Sequence, residues 1–479
     1  MDTSNEGAET KERPSIGLHE KTPPDTKEPA TTTHSSDKPA QIARDWPYAV
    51  KLRTTCIIGA YRFISALASS ALSFALPSIA AEFNTLDRKI VSVLPLSAYL
   101  LGYVFGPLIL APLSSTFGRV RVLQASNMVF LVFNTAAGFA QNTTTLSVLR
   151  ACSGLGGSGP ITLAAGILSD CWTPLERTRM IVVYTLPVQL GPALAPIMGA
   201  LLNEHLSWRW ILWVTSISSV VVQIIGFCLL RETHVPAIGS GGQNKLVSKI
   251  KKELTLSFKR PVRIFRLHYS TQLLALYASF TYAVVYATFV SFHDVWEKKY
   301  NQNASRASLN FTALAAGEII GSFGVRPFNV WSYNFLRCRS DDGLARPEFR
   351  APALVLGGLL LPIGLIWFGF SAQERIFPVV PDLGVAVYAI AGVIILQFTN
   401  LYVIDVYEGQ AAEAMSGIYA MRYLVGFALS LFISDMFDVL DYGFGNALLA
   451  GLSILFGWPL PWLIWRFGER LRARDAPVV

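Results

Sequence analysis

The sequence predicts an all-α membrane protein of twelve transmembrane helices, arranged as two halves of six. Three observations predict it. First, 52% of the 479 residues are apolar and 15% are charged, with a mean hydropathy of +0.42. A soluble chain of this length carries more charge and divides into several domains. Second, the apolar residues fall into long runs, and about 20 mostly apolar residues cross a bilayer as a helix. Third, lysine and arginine cluster between those runs, as they do in the loops of membrane proteins. That distribution argues against nucleic acid as a partner, despite the net charge of +8.

Taken in order, residues 1–46 are rich in Thr, Ser, Pro, Glu and Lys, with almost no large apolar side chains. Such a segment cannot bury enough surface to offset its ordering entropy, so it is expected to be a disordered cytoplasmic tail. The first strongly apolar run begins near Cys56, too late for a cleaved signal peptide. The candidate spans are 54–76, 90–110, 122–140, 146–168, 180–202, 211–230, 271–292, 309–330, 352–370, 384–404, 415–437 and 444–465. They divide the chain into a first half (47–230), a central loop (231–270), a second half (271–466) and a C-tail (467–479). The N-flank, alternate loops and C-tail hold 25 Lys and Arg, against 7 in the opposite loops. Both termini and the central loop are therefore expected in the cytoplasm. Within that loop Leu246, Val247, Ile250 and Leu254 recur at helical spacing among Lys249, Lys251 and Lys252. This pattern fits a helix lying on the anionic inner leaflet.

The fifth run reads Y-T-L-P-V-Q-L-G-P-A-L-A-P-I-M-G, with Pro187, Gly191, Pro192, Pro196 and Gly199 inside it. Proline costs roughly 3 kcal/mol in an exposed helix interior. It persists in a span where neighbouring helices satisfy the freed carbonyls. Gly191, Ala195 and Gly199 recur four apart, so one face of a bent helix can approach another helix closely.

G-P-A-L-A-P-I-M-G, Gly191 to Gly199, resembles the G-P-x-x-G-P-x-x-G signature of drug:proton antiporters of the major facilitator superfamily, with Ala195 in place of a glycine. The second run, S-A-Y-L-L-G-Y-V-F-G-P-L-I-L-A-P-L-S-S-T-F-G-R-V-R, is similar to that of the twelve-span fungal drug:proton antiporters, with Ser115 where they carry an acid. The resemblance extends to L-R-A-C-S-G around Arg150, to Asp170 and Trp172, to Glu176 and Arg177, and to W-R-W-I-L-W from Trp208. In the second half it covers R-P-E-F-R from Arg346, Y-V-I-D-V-Y from Tyr402, and Arg422. It implies the major facilitator fold, a substrate cavity between the halves, proton coupling through Arg150, and gating at Gly118, Arg119, Asp170, Gly191, Pro192, Pro196 and Gly199.

Charges inside spans are functional candidates because their desolvation is costly. Arg62, Glu318 and Arg422 lie in the first, eighth and eleventh runs. Glu318 is the candidate proton carrier, since burial disfavours a charged carboxylate. A purely structural ion pair with Arg62 or Arg422 is the competing reading. Tyr282, Tyr286 and Phe289 share a helix face and can line an aromatic cavity or face lipid. Tyr99, Gln189, Asn400 and Tyr402 are further polar groups available to such a cavity. Of the sequons at Asn142, Asn303 and Asn310, Asn303 is the glycosylation candidate. The five cysteines show no metal spacing, and no Walker loop or nucleophile–base set is present.

These readings combine into a proton-coupled efflux carrier for a small organic molecule such as a drug, toxin or secondary metabolite. Its partners are the substrate, protons and the bilayer. It is expected to be a monomer needing no metal or cofactor, in the plasma membrane or the vacuolar membrane, and not an enzyme. The alternatives are a polyamine or organic-acid carrier, or a non-transporting sensor on the same fold.

Overall fold

The computed structural model describes residues 43–234, 255–256, 269–339, 346–406 and 411–474. The expected tail up to residue 42, the surface helix over 245–258 except at 255–256, and Glu408 lie outside the described residues. Each predicted run falls on a helix. The first span is Tyr48–Ser70, a 3-10 turn at Ser73–Ala75, and a continuation Leu76–Glu82. The second and third are Lys89–Phe117 and Arg119–Ala137. The fourth comes in two pieces, Thr143–Gly157 and Gly159–Cys171. The fifth and sixth are Pro174–His205 and Trp208–Leu229.

The second half repeats the pattern. Its first helix, the seventh span, is Tyr269–Asp294 with a π-helical turn at Val295–Lys299. Ala304–Leu309 leads into the eighth, Phe311–Arg339. The ninth and tenth are Ala351–Gln373 and Val379–Val406. The stretch Ala411–Gly457 holds the eleventh and the start of the twelfth, separated at Asp441, whose φ of 55° and ψ of 175° no helix tolerates. Pro459–Arg474 completes the twelfth.

By length and composition eight described stretches can cross a membrane, one of them, Ala414–Phe467, holding both the eleventh and twelfth spans. The third, fifth and eighth helices are not among these eight stretches.

Two kinds of contact hold the first half together. Polar side chains join the third and sixth spans. Asn127 donates to Gln223 Oε1 at 2.7 Å, and Asn134 donates to Thr215 and Ser216, both at 2.9 Å. Hydrogen bonds of this kind have no water to compete with inside a bilayer. The fifth span packs on the first through its glycine face. A Cβ at Gly191 would stand 2.9 Å from Ala66 Cβ, and one at Gly199 would stand 2.0 Å from the Ala71 carbonyl oxygen. The sixth span instead exposes Ile217, Val221, Ile224 and Phe227, an apolar stripe suited to lipid.

Candidate functional site

The break in the first span creates the most elaborate polar contact in the bundle. A helix that ends leaves its last carbonyls without intrahelical partners. Here the helix ends at Ser70, which frees the carbonyls of Ala68 and Ser69. Arg150 Nη2 of the fourth span donates to Ala68 O at 2.8 Å. Its Nε donates to Pro95 O at 3.3 Å, its Nη1 to Asn134 Oδ1 at 3.5 Å, and its guanidinium lies 4.4 Å from the Tyr99 ring. Arg150 is fully buried. It does not snorkel to the headgroups, because a helix C-terminus, an amide oxygen and a ring face solvate it inside the protein. Tyr286 of the seventh span takes the neighbouring carbonyl, donating to Ser69 O at 3.3 Å and Leu96 O at 3.2 Å.

A second cluster lies where the halves meet. Arg62 of the first span is within electrostatic reach of the Tyr103 and Tyr184 hydroxyls of its own half, and of Tyr282 and Tyr423 of the other. Arg422 lies beside the same Tyr282 and Tyr423. Its guanidinium is 4.9 Å from the Tyr419 ring and 6.0 Å from the Tyr282 ring, and it donates to Asn400 Oδ1 at 3.5 Å. Tyr423 packs edge-on against Tyr103 at 5.0 Å and against Tyr282 at 5.3 Å. Arg62 Nη1 and Arg422 Nε are buried with no hydrogen-bond partner. Tyr103 and Tyr423 escaped the sequence reading. The i, i+4 spacing of Tyr419 and Tyr423 around Arg422 is the signal that could have found one of them.

Polar contacts join the two halves from the middle of the bundle to one end. Gln189 donates to Ser322 Oγ at 2.9 Å, and Ser430 donates to Ser97 Oγ at 2.7 Å. Farther along, Ser73 bonds the Phe289 carbonyl, Ser305 bonds Glu204, and Lys89 reaches Asp438 and, at 3.2 Å, Asp435. The halves are closed at this end.

The opposite end is braced within each half. Gly118, at φ 103°, turns the chain between the second and third spans in a conformation that side-chain-bearing residues rarely adopt. Glu232, just past the sixth span, caps the helix that follows. Its carboxylate accepts from Val120 N and Arg121 N, both at 3.1 Å. Arg119 pairs with Asp170 at 3.1 Å. Glu232 thus brings a carboxylate to the turn that follows Ser115 from 111 or more residues away along the chain. Nothing local in the sequence ties Glu232 to Gly118. At the start of the fifth span the Thr173 N–H and hydroxyl donate to the Glu176 carboxylate, at 3.2 and 2.8 Å. In the second half Arg350 pairs with Asp405 at 2.8 Å.

The remaining candidates divide. Glu318 forms no ion pair with Arg62 or Arg422, and its Oε2 is buried without a hydrogen-bond partner. Gly317 and Gly321 flank it and bring the eighth span against Ala386 and Ile390 of the tenth. Tyr99 is fully buried beneath Arg150, and its ring lies 5.0 Å from that of Tyr103, so it links Arg150 to the Arg62 cluster. Asn303 is exposed and caps a short helix through Arg306 N at 3.4 Å. Among the described residues, no group of three His, Cys, Asp or Glu could hold a metal ion.

A twelve-helix bundle closed between its halves at one end, with ionised side chains at its centre, defines a multi-pass membrane transporter of small molecules. The chain belongs to the Major Facilitator Superfamily, whose family model matches residues 58–431. It is 32% identical over 461 residues to the efflux pump vrtL of Penicillium aethiopicum, covering 93% of this chain and 91% of that one. It is 34% identical over 445 residues to the MFS-type transporter oryF of Aspergillus oryzae, covering 90% and 92%. Among solved structures it is similar to a partially occluded, inward-open form of the xylose transporter XylE of E. coli, with a TM-score of 0.63 at 12% identity, over 88% of this chain and 98% of that one. That last likeness is one of fold.

Proposed function

We propose that this protein is a proton-coupled efflux carrier that moves a small organic molecule out of the cytoplasm across the plasma membrane, as a monomer. Residues 47–230 and 271–466 act as the two rocking bodies. The observation that carries the reading is Glu318, a carboxylate inside the bundle with one oxygen buried and unpartnered. A group in that setting is neutral when dry and ionises when water reaches it, so its proton occupancy follows the conformational cycle. Arg150 supports the reading from the other half. It binds the broken first span on the same turn that Tyr286 uses to join the halves. The relatives named as efflux pumps favour the outward direction.

The test uses purified protein in sealed vesicles, with rhodamine and fluorescein dyes as cargo. An imposed proton gradient should drive dye against its concentration gradient without ATP, and a protonophore should abolish it. Uptake that requires ATP and ignores the gradient would overturn the reading.

A further inference from the structure

We infer that the cargo is an organic anion with a flat aromatic body, its negative charge held between Arg62 and Arg422. The inference rests on the export reading above and adds the chemical class. Its basis is the contrast among Arg62, Arg150 and Arg422, the three arginines inside the bundle whose side chains are described. Arg150 shows what a fully solvated arginine looks like here: carbonyl, amide and ring partners surround its guanidinium. Arg62, bonded to the Tyr184 hydroxyl, and Arg422, donating to Asn400, are met only in part. Arg62 Nη1 and Arg422 Nε are buried and unpartnered. Among the described residues neither arginine forms an ion pair, and Glu318 is not engaged with them.

Two like charges facing the same tyrosines without a counter-ion are costly in a low-dielectric interior. Ring faces at 4.9 and 6.0 Å from Arg422 offset a fraction of that cost. A carboxylate or ionised phenol offsets far more, because the guanidinium fork matches two oxygens at once. The arginines belong to opposite halves, so one anion can bridge them and hold the halves together during closure. Tyr282 and Tyr423 lie between them with Tyr103 edge-on, which provides ring faces and edges for a planar aromatic body. A cation placed there meets repulsion from both sides. An anion leaving as a proton enters moves net positive charge inward, so an inside-negative potential favours export.

The test compares two dyes of one xanthene skeleton, anionic fluorescein and cationic rhodamine 123. Binding to the purified full-length chain is read by fluorescence anisotropy, without any gradient. Fluorescein should bind about tenfold or more tightly than rhodamine 123. Arg62→Gln and Arg422→Gln should each weaken fluorescein about tenfold while leaving rhodamine 123 unchanged or tighter. Arg62→Lys and Arg422→Lys should retain much of the fluorescein affinity. Because neither arginine has a counter-ion to abandon, the Gln variants should melt no lower than the native chain. Tighter rhodamine binding, Gln variants that bind fluorescein normally, or no binding of fluorescein at its solubility limit would each overturn the assignment. So would displacement of fluorescein by chloride at equal concentration, which would mark a small inorganic-ion site. Charge-selective binding without proton-driven movement would sink the antiport reading and leave this one. Proton-driven movement of both dyes with no charge preference would do the reverse.

Discussion

Gly199 of the fifth span and Ala71 of the first are in such close contact that a Cβ on Gly199 would lie 2.0 Å from the Ala71 carbonyl oxygen. Ala71 sits at the break in the first span, beside the carbonyls that Arg150 and Tyr286 occupy. The glycine seam therefore fixes the helix whose end holds both contacts.

Gly199→Leu should abolish transport, because the obstructing atom is backbone and cannot rotate away. Gly191→Leu should be milder: its nearest obstacle is the Ala66 methyl at 2.9 Å. Overpacking typically costs about 1–3 kcal/mol, and the Gly199 variant should sit at the upper end. Transport assays and thermal melting of both variants check the order. Equal, native-like transport would mean that the seam opens freely.

Two contacts at the closed end differ in worth. Lys89 with Asp435 and Asp438 is an exposed ion pair, which solvent screens to a small contribution. The Tyr286 hydroxyl is buried on two carbonyls, and losing it costs about 1–3 kcal/mol. Tyr286→Phe should thus open this end of the carrier more than Lys89→Ala does. Only the Lys89 contribution should fade in high salt. Spin-label distances across this end, at low and high salt, measure both effects.

Glu232→Ala should lower stability by about 0.5–2 kcal/mol, the usual worth of a helix cap, since it strips acceptors from Val120 N and Arg121 N. Glu232→Gln should lose less, because an amide oxygen still accepts one of the two bonds. Denaturation of the purified variants checks the ranking. A native-like Ala variant would show that solvent caps this helix as well as the carboxylate does.

Glu318→Gln should keep native stability, because among the described residues Glu318 has no ion-pair partner to strand. It should still exchange dye across the membrane but lose accumulation driven by a proton gradient. Glu318→Asp should keep part of the coupled transport with a displaced pH optimum. Counterflow and gradient-driven uptake, measured on the same vesicles, separate these activities. A Gln variant that accumulates dye normally would move the proton site elsewhere.

Sequence alone determined the twelve helices, their grouping in halves and the glycine face of the fifth span. Each rests on spacing along one helix or on the length of apolar chain that a bilayer demands. Sequence also singled out Arg62, Arg150, Glu318 and Arg422, because charge within an apolar run is costly wherever the run packs. It could not say how each charge is met. Tertiary structure decided that Arg150 is solvated by a neighbouring helix end, that Arg62 and Arg422 share Tyr423 across the halves, and that Glu318 pairs with neither. It likewise brought Glu232 to Gly118 and Lys89 to Asp435. The physical reason is range. Periodicity and hydropathy act between residues a few positions apart, whereas the partner of a buried charge is chosen by how the helices pack, often from a hundred or more residues away.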